Sequence, residues 1–283
     1  MLSTLLGLDH VVVAVQDLAR ASAAWRELGF TLSPRGTHSP HLGTGNHTIM
    51  LGPDYIELIG VLSETAHNAP TRAFLASCGD GIERAALTCR DAGLLAEEIR
   101  SLGLEPDGPL SFGRPVELPG GEQAEARFRT VKWPLDEKPG GMRLFACEHL
   151  TPDAVWVPDL QRHENTATRI RQVEAAAPDP RGAADQLARL IAGTVEQDSD
   201  GFHRVPTGPG RADIVFATRA ALLARHPGLT ADDLKEEGAA GLVIGVGSLR
   251  AAAQSVRGGL ARDGGIIVRP AEASGVALHF IQD

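Results

Sequence analysis

The chain repeats itself, and that repeat limits what it can fold into. LDHVVVAVQD, residues 8–17, is followed by LARASAAWRELGF; 74 positions later IERAALTCRD is followed by AGLLAEEIRSLGL. Asp17 falls on Asp91, Arg26 on Arg100, Leu28 on Leu102 and Gly29 on Gly103. Each copy predicts a strand, an N-capping aspartate, an amphipathic helix and a glycine of C-cap type. The helix is read from apolar residues such as Ala21, Trp25 and Leu28 at three- and four-residue spacing. A third copy lies at an offset of 162, with Asp179 on Asp17 and Leu190 on Leu28. A fourth begins at GLVIGVGSLRAAAQSVRGGL, where Ser248 takes the capping position.

The segments between these helices read as strands: HTIMLG and DYIELIGV, then ARFRTVKW and MRLFACEHL, then ADIVFAT, GIIVRP and GVALHFIQD. Short turns such as Gly52-Pro53-Asp54 join them. The expected fold class is α/β, of the α+β kind, with four βαβββ modules paired two and two. Residues 1–155 form the first pair and hold the candidate site. Residues 156–167, within the aperiodic TPDAVWVPDLQRHENTA, are the expected linker, and 168–283 form a second, degenerate pair. Three stretches rich in Gly and Pro, Glu105 to Glu125, Pro134 to Gly141 and Thr194 to Arg211, are expected as loops.

Composition narrows the function. The 283 residues are 43% apolar and carry a net charge of −9, and no stretch gathers Lys and Arg on one face. That argues against nucleic-acid and membrane-surface roles and for a small-molecule partner. MLSTLLGLDH lacks the basic region of a signal peptide, so the expected location is cytoplasmic. Cys78, Cys89 and Cys147 form no CxxC pattern and are expected as reduced, buried thiols. There is no GxGxxG fingerprint, so no nucleotide cofactor is expected, and neither HExxH nor GxSxG occurs.

The repeated module, the LDHVVVAVQD opening and the strand DYIELIGV, with HLGTGN, HTIML and CEHLTPDAVW, resemble the vicinal oxygen chelate superfamily and its glyoxalase-like branch. The resemblance covers residues 5 to about 160; beyond that only the module rhythm continues. It implies half-barrel cups, each built by two modules, in which a divalent metal is held by one ligand from the first strand and one from the last strand of each module. Alternation along a strand puts Leu8, His10, Val12 and Ala14 on one face and Val11, Val13 and Val15 on the other, so His10 aims into the cup if the valines meet the helix. Aligning YIEL with ACEH places Glu148 where Glu57 stands. His10, Glu57 and Glu148 are then the implied ligands for Zn, Mn, Fe or Ni, with Glu57 and Glu148 also the candidate catalytic carboxylates.

The fourth ligand position departs from the family, because Arg84 matches His10 and a guanidinium cannot ligate a cation. Arg84 either leaves a three-ligand metal or neutralises the two glutamates in a metal-free cup, where it suits a ligand's carboxylate or phosphate. Asn46 and His47, with His41 nearby, either orient a substrate or are solvated loop residues. Arg129 shares a strand face with Arg127 and Val131, directed to the cup or to solvent. His149 should point away from the cup if Glu148 points in, and a slip of one residue exchanges them. The second pair offers Gln172 and Gly241 at the His10 position, and His279 without partners. Two functions follow: metal-assisted isomerase, lyase or dioxygenase chemistry on vicinal oxygens, or metal-free sequestration of an anionic or aromatic compound, in a monomer or homodimer.

Overall fold

The structure is a computed structural model and describes residues 1–117, 121, 123–262 and 264–283. Four modules follow one another. The first is β1 (Leu5–Val15), α1 (Leu18–Glu27), β2 (Gly36–Thr37), β3 (Thr44–Met50) and β4 (Tyr55–Val61), with α2 (Ala69–Cys78) after it. The second is β5 (Gly81–Cys89), α3 (Ala92–Ser101), β6 (Asp107–Glu117), β7 (Gln123–Lys132) and β8 (Arg143–His149). The third is β9 (Ala167–Ala176), α4 (Pro180–Ile191), β10 (Glu196–Gln197), β11 (His203–Pro206) and β12 (Asp213–Ala217), with α5 (Arg219–Arg225) after it. The fourth is β13 (Gly238–Val246), α6 (Leu249–Ser255), β14 (Leu260–Arg262), β15 (Gly265–Val268) and β16 (Ala277–Gln282).

The four repeated helices start where the sequence puts their caps. Asp17, Asp91, Asp179 and Ser248 each accept a backbone N–H of the first turn. Gly29 and Gly103 follow α1 and α3 at φ +81° and +78°, a left-handed conformation that a side chain would strain. Among the described residues the strands pair in two sheets of eight, ordered β2-β3-β4-β1-β5-β8-β7-β6 and β10-β11-β12-β9-β13-β16-β15-β14. In each sheet the two modules meet through their first strands, β1 with β5 and β9 with β13, antiparallel. The resulting pseudo-twofold makes each sheet a trough.

Sequence reasoning misses several elements. β6 lies in the stretch expected as loop, and the part of that stretch at residues 118–120 and 122 lies outside the described residues. Pro109 and Pro115 hide the strand in the sequence. It is an edge strand, where a missing backbone N–H is tolerated. β10 and β11 likewise occupy the expected loop Thr194 to Arg211. α2 packs Phe74 and Leu75 against Val12, Ala14 and Ile59, and α5 buries Leu222 in the second trough.

The faces turned away from the troughs share one core. It runs from Val11, Val13 and Leu87 through Trp25, Ile99 and Leu187 to Val173, Ile244 and Leu278. The valine face of β1 therefore meets the helices, the condition on which His10 aims into the cup, but Leu8, which strict alternation puts on the His10 face, lies in this core as well. The Trp133 indole N–H crosses between the halves to the Leu190 carbonyl at 3.1 Å. The segment expected as linker is packed too. The Asn165 amide is buried and donates to the Leu28 carbonyl at 2.8 Å, while His163 bridges the Thr31 N–H and the Met50 carbonyl. Among the described residues no helix is long and apolar enough to cross a membrane.

Asp54 ties the turn after β3 to the other sheet. Its Oδ1 accepts the Ile170 N–H at 2.9 Å, and its Oδ2 has no hydrogen-bond partner among the described residues. Burial pushes the carboxyl up to about 7, against the opposing pull of the Ile170 N–H and of Arg169 and Arg211. A raised carboxyl destabilises the folded state once it must ionise. The Asp54 contribution should therefore be most favourable below the ordinary aspartate range and fall as pH rises from about 4 to about 7. Asp54→Asn keeps the acceptor and removes the charge. It should abolish this slope and gain up to about 4 kcal/mol at pH 8, as read by urea denaturation across pH; equal slopes in both proteins would contradict the assignment.

Candidate functional site

A cavity of about 670 Å³ fills the first trough, a size suited to a small ligand. Its lining comes from β1, β3, β4 and α2 of the first module and from β5 through β8 of the second. In the second trough the cleft between Glu174, His226 and His279 leaves no water-sized space. His226 Nε2 meets the Glu174 carboxylate there at 2.6 Å, and burial pushes His279 down to about 4.

His10, Asn46, Glu57 and Arg84 all line the open cavity. The Asn46 side-chain N–H donates to Glu57 Oε1 at 2.6 Å, and His10 Nε2 lies 3.7 Å from Glu57 Oε2. Burial alone would raise the Glu57 carboxyl. His10, His38, Arg84 and the Asn46 amide outweigh it and hold the group below its usual range. The His10 ring stacks on Tyr55, with centroids 4.2 Å apart, and meets Phe145 edge-on.

What fixes His10 is a residue that strand alternation hides. Strict alternation sends Asp9 to the opposite face, but β1 is bulged there. Leu8 pairs with Leu87 and His10 with the adjacent Ala86, so Asp9 is extra and turns toward the cup side. Its fully buried carboxylate meets His10 Nδ1 at 2.7 Å, His149 Nε2 at 2.9 Å and the Thr88 hydroxyl at 2.7 Å. Burial would raise the Asp9 carboxyl, but the facing His149 imidazole and the hydrogen bonds from His10 and His149 hold it well below the carboxylate range. An ionised carboxylate only accepts, so His10 carries a proton on Nδ1 and presents the Nε2 lone pair to the cavity.

The same bulge recurs one module on. Val12 pairs with Arg84 and Val13 with Ile82, so Glu83 is the extra residue of β5. Asp9-His10 and Glu83-Arg84 thus occupy equivalent places, 74 positions apart. An acid followed by a base at one point of the repeat is the sequence signal that could have revealed both. Glu83 is buried and shared by the guanidiniums of Arg84 and Arg143, with the Thr71 hydroxyl at 3.2 Å. Burial lowers Arg84 against the opposing pull of Glu57, and pushes Arg143 down to about 10. The corresponding bulges of the second sheet carry Arg171 and Ala240, so neither pair is repeated there.

Glu148 does not join His10 and Glu57. In the parallel pairs Val12 faces Glu57 and the equivalent Ala86 faces Phe145, so the counterpart of Glu57 is Phe145. Glu148 lies three residues later, on the helix side of β8. It accepts the Ala92 N–H of the first turn of α3 at 2.9 Å and pairs with Arg129 at 3.2 Å, which suits a carboxylate at a helix N-terminus. Arg129 accordingly lies outside the cup. His47 faces away as well, held by its Nδ1 to the Ser33 carbonyl at 2.9 Å, with burial lowering its pKa. His149, the neighbour that a one-residue slip exchanges with Glu148, is the one that reaches the cup side of β8.

The four facing strand positions are therefore His10, Glu57, Arg84 and Phe145. Only two are donors, so the three-ligand set expected from the sequence does not assemble. A different trio does: Asp9, Cys147 and His149 offer ligand atoms within 4.8 Å of one another. Burial holds the Cys147 thiol well above its usual range.

Paired βαβββ modules around an open cup define the vicinal oxygen chelate fold. The chain belongs to the glyoxalase-like domain family, whose sequence model matches residues 8–191. Solved structures show the fold over the whole chain. A hypothetical protein from Staphylococcus aureus superposes with TM-score 0.70 at 12% identity, covering 98% of this chain and 99% of that one. A mutant of 4-hydroxymandelate synthase from Streptomyces coelicolor gives 0.57 at 14%, covering 99% and 93%. A xylose isomerase-like TIM barrel/4-hydroxyphenylpyruvate dioxygenase fusion protein gives 0.64 at 14%, with 99% of this chain on 49% of that one. No curated protein matches the sequence.

Proposed function

We propose that the N-terminal unit, residues 1–155, binds a small molecule in its cup and moves a proton on it, with residues 168–283 acting as a structural support. The observation that carries this reading is His10, gripped by Asp9 at Nδ1 at 2.7 Å, with Nε2 turned toward the cavity. A base needs a lone pair in reach of the ligand and a partner that steadies the imidazolium. Asp9 supplies that partner, and Glu57 at 3.7 Å faces the other nitrogen. Asn46 and the charge of Arg84 keep Glu57 ionised for this role. Arg84 also offers fixed positive charge to an anion forming on the ligand.

The test uses small carbonyl compounds with a C–H next to the carbonyl, incubated with the protein in D₂O and followed by proton NMR. Deuterium should enter at that carbon, and His10→Gln should slow it by about 10²–10⁴-fold while ligand-induced thermal shifts persist. An exchange rate unchanged in His10→Gln would overturn the assignment.

The trio Asp9, Cys147 and His149 favours a second reading, a resident metal. A carboxylate, thiolate and imidazole suit zinc, which when bound supplies a Lewis acid. Zinc near one per chain in protein purified without chelator, lost in Cys147→Ser, would support it. In the first reading those Asp9 oxygens serve Thr88, His10 and His149 instead.

A further inference from the structure

The cavity is walled by more cations than its function as a proton-transfer cup requires, and their partners differ. Arg84 and Arg143 are tied to Glu83, and Glu57 offsets the surplus guanidinium charge. Lys132 pairs with Asp107 at 3.0 Å. Arg114 has no hydrogen bond or ion pair among the described residues, although it lines the cavity and is half-buried. Unpaired guanidinium charge taken partly out of water needs an acceptor.

Its position says where that acceptor comes from. Leu110, Phe112 and Arg114 alternate onto the cup face of β6. β6 and β2 are the two edges of the first sheet, and they approach each other across the mouth of the trough. Arg114 spans that seam: a methyl group on Gly36 of β2 would sit 3.4 Å from its Nη1. From there its charge bears on His38 and Tyr55, both lining the same cavity. Two residues along the same face of β6 the wall is apolar. Phe112 and Phe128 stack at 5.2 Å between centroids, and Phe145 continues the surface toward His10.

We infer that Arg114 is the anion anchor of the cup, and that the ligand is a small monocarboxylate carried on an apolar body of aromatic size. This rests on the small-molecule reading of the cup. A carboxylate supplies the acceptor that Arg114 lacks among the described residues, and the phenylalanine wall takes the body. Arg84, the residue that sequence reasoning assigns to a ligand's anion, is already committed to Glu83 and Thr71.

Isothermal titration of the full chain with 3-phenylpropanoate and with its uncharged amide, 3-phenylpropanamide, tests the inference. The acid should bind at least about tenfold more tightly than the amide, as a charge-assisted hydrogen bond predicts. Arg114→Gln should erase that preference by weakening the acid alone. Arg129→Gln, outside the cup, should leave both affinities unchanged. Equal affinities in the wild type, or full acid affinity in Arg114→Gln, would overturn the anchor while leaving a small-molecule cup in place. Binding of neither compound would also overturn it; the cup reading is judged separately by the His10-dependent deuterium exchange, which does not involve Arg114.

Discussion

Asp9→Asn should slow proton exchange in the cup by about 10³–10⁴-fold, because it reverses the His10 tautomer instead of removing the imidazole. An asparagine amide turned toward Nδ1 donates where the carboxylate accepted. The proton then moves to Nε2, and the lone pair turns away from the ligand. The same change should cost about 3–5 kcal/mol, since His149 and Thr88 must then share one neutral amide oxygen where they had an ionised carboxylate in a fully buried site. The pH dependence carries the sign. Asp9 is held below its ordinary range, so its stabilisation is present above the unfolded aspartate value and is lost as pH falls through the depressed folded value. Urea denaturation should therefore show the wild type losing stability on acidification where Asp9→Asn does not. Equal acid sensitivity and a rate within tenfold of wild type would remove Asp9 from the account.

Glu83→Gln should be comparably damaging to stability, by about 3–5 kcal/mol, through electrostatics rather than packing. The side chain keeps its volume, but Arg84 and Arg143 lose the carboxylate they share inside the protein. Two guanidiniums then share one neutral amide, with Glu57 the carboxylate that still bears on Arg84. Replacing Arg143 by Met in the same chain should recover most of the loss, because Arg84 alone can be balanced by Glu57. A single variant within about 1 kcal/mol of wild type, or a double variant no better than the single, would show that the charges are compensated elsewhere.

Much of the fold is legible because it is written in repeats. The four caps Asp17, Asp91, Asp179 and Ser248 and the alternating valines of β1 follow from local chemistry, and that chemistry survives in the packed protein. His10, Glu57 and Arg84 line the cavity where the repeat and the strand faces put them, while Asn46, read as either substrate-orienting or a solvated loop residue, lies on β3. Register is not legible. A bulge adds one residue to a strand without marking the sequence, and it moves Asp9 and Glu83 to faces that alternation denies them. The error at Glu148 has the same origin, since matching YIEL to ACEH by likeness of letters misses the three-residue offset that the parallel pairing sets. Arg114 stays hidden for another reason: its strand carries two prolines and reads as loop, so its place at the seam with β2 emerges only when the sheet curls.

The imidazole nitrogens test the central claim most directly, because they need no substrate. Nitrogen-15 NMR of the histidine side chains should find His10 as the Nδ1–H tautomer and His149 as the Nε2–H tautomer, both donating to Asp9. Addition of a cup ligand should move the His10 Nε2 resonance and leave His149 nearly still. A His10 protonated on Nε2, or one indifferent to every ligand that binds, would contradict the proposal that Asp9 arms His10 for the cup.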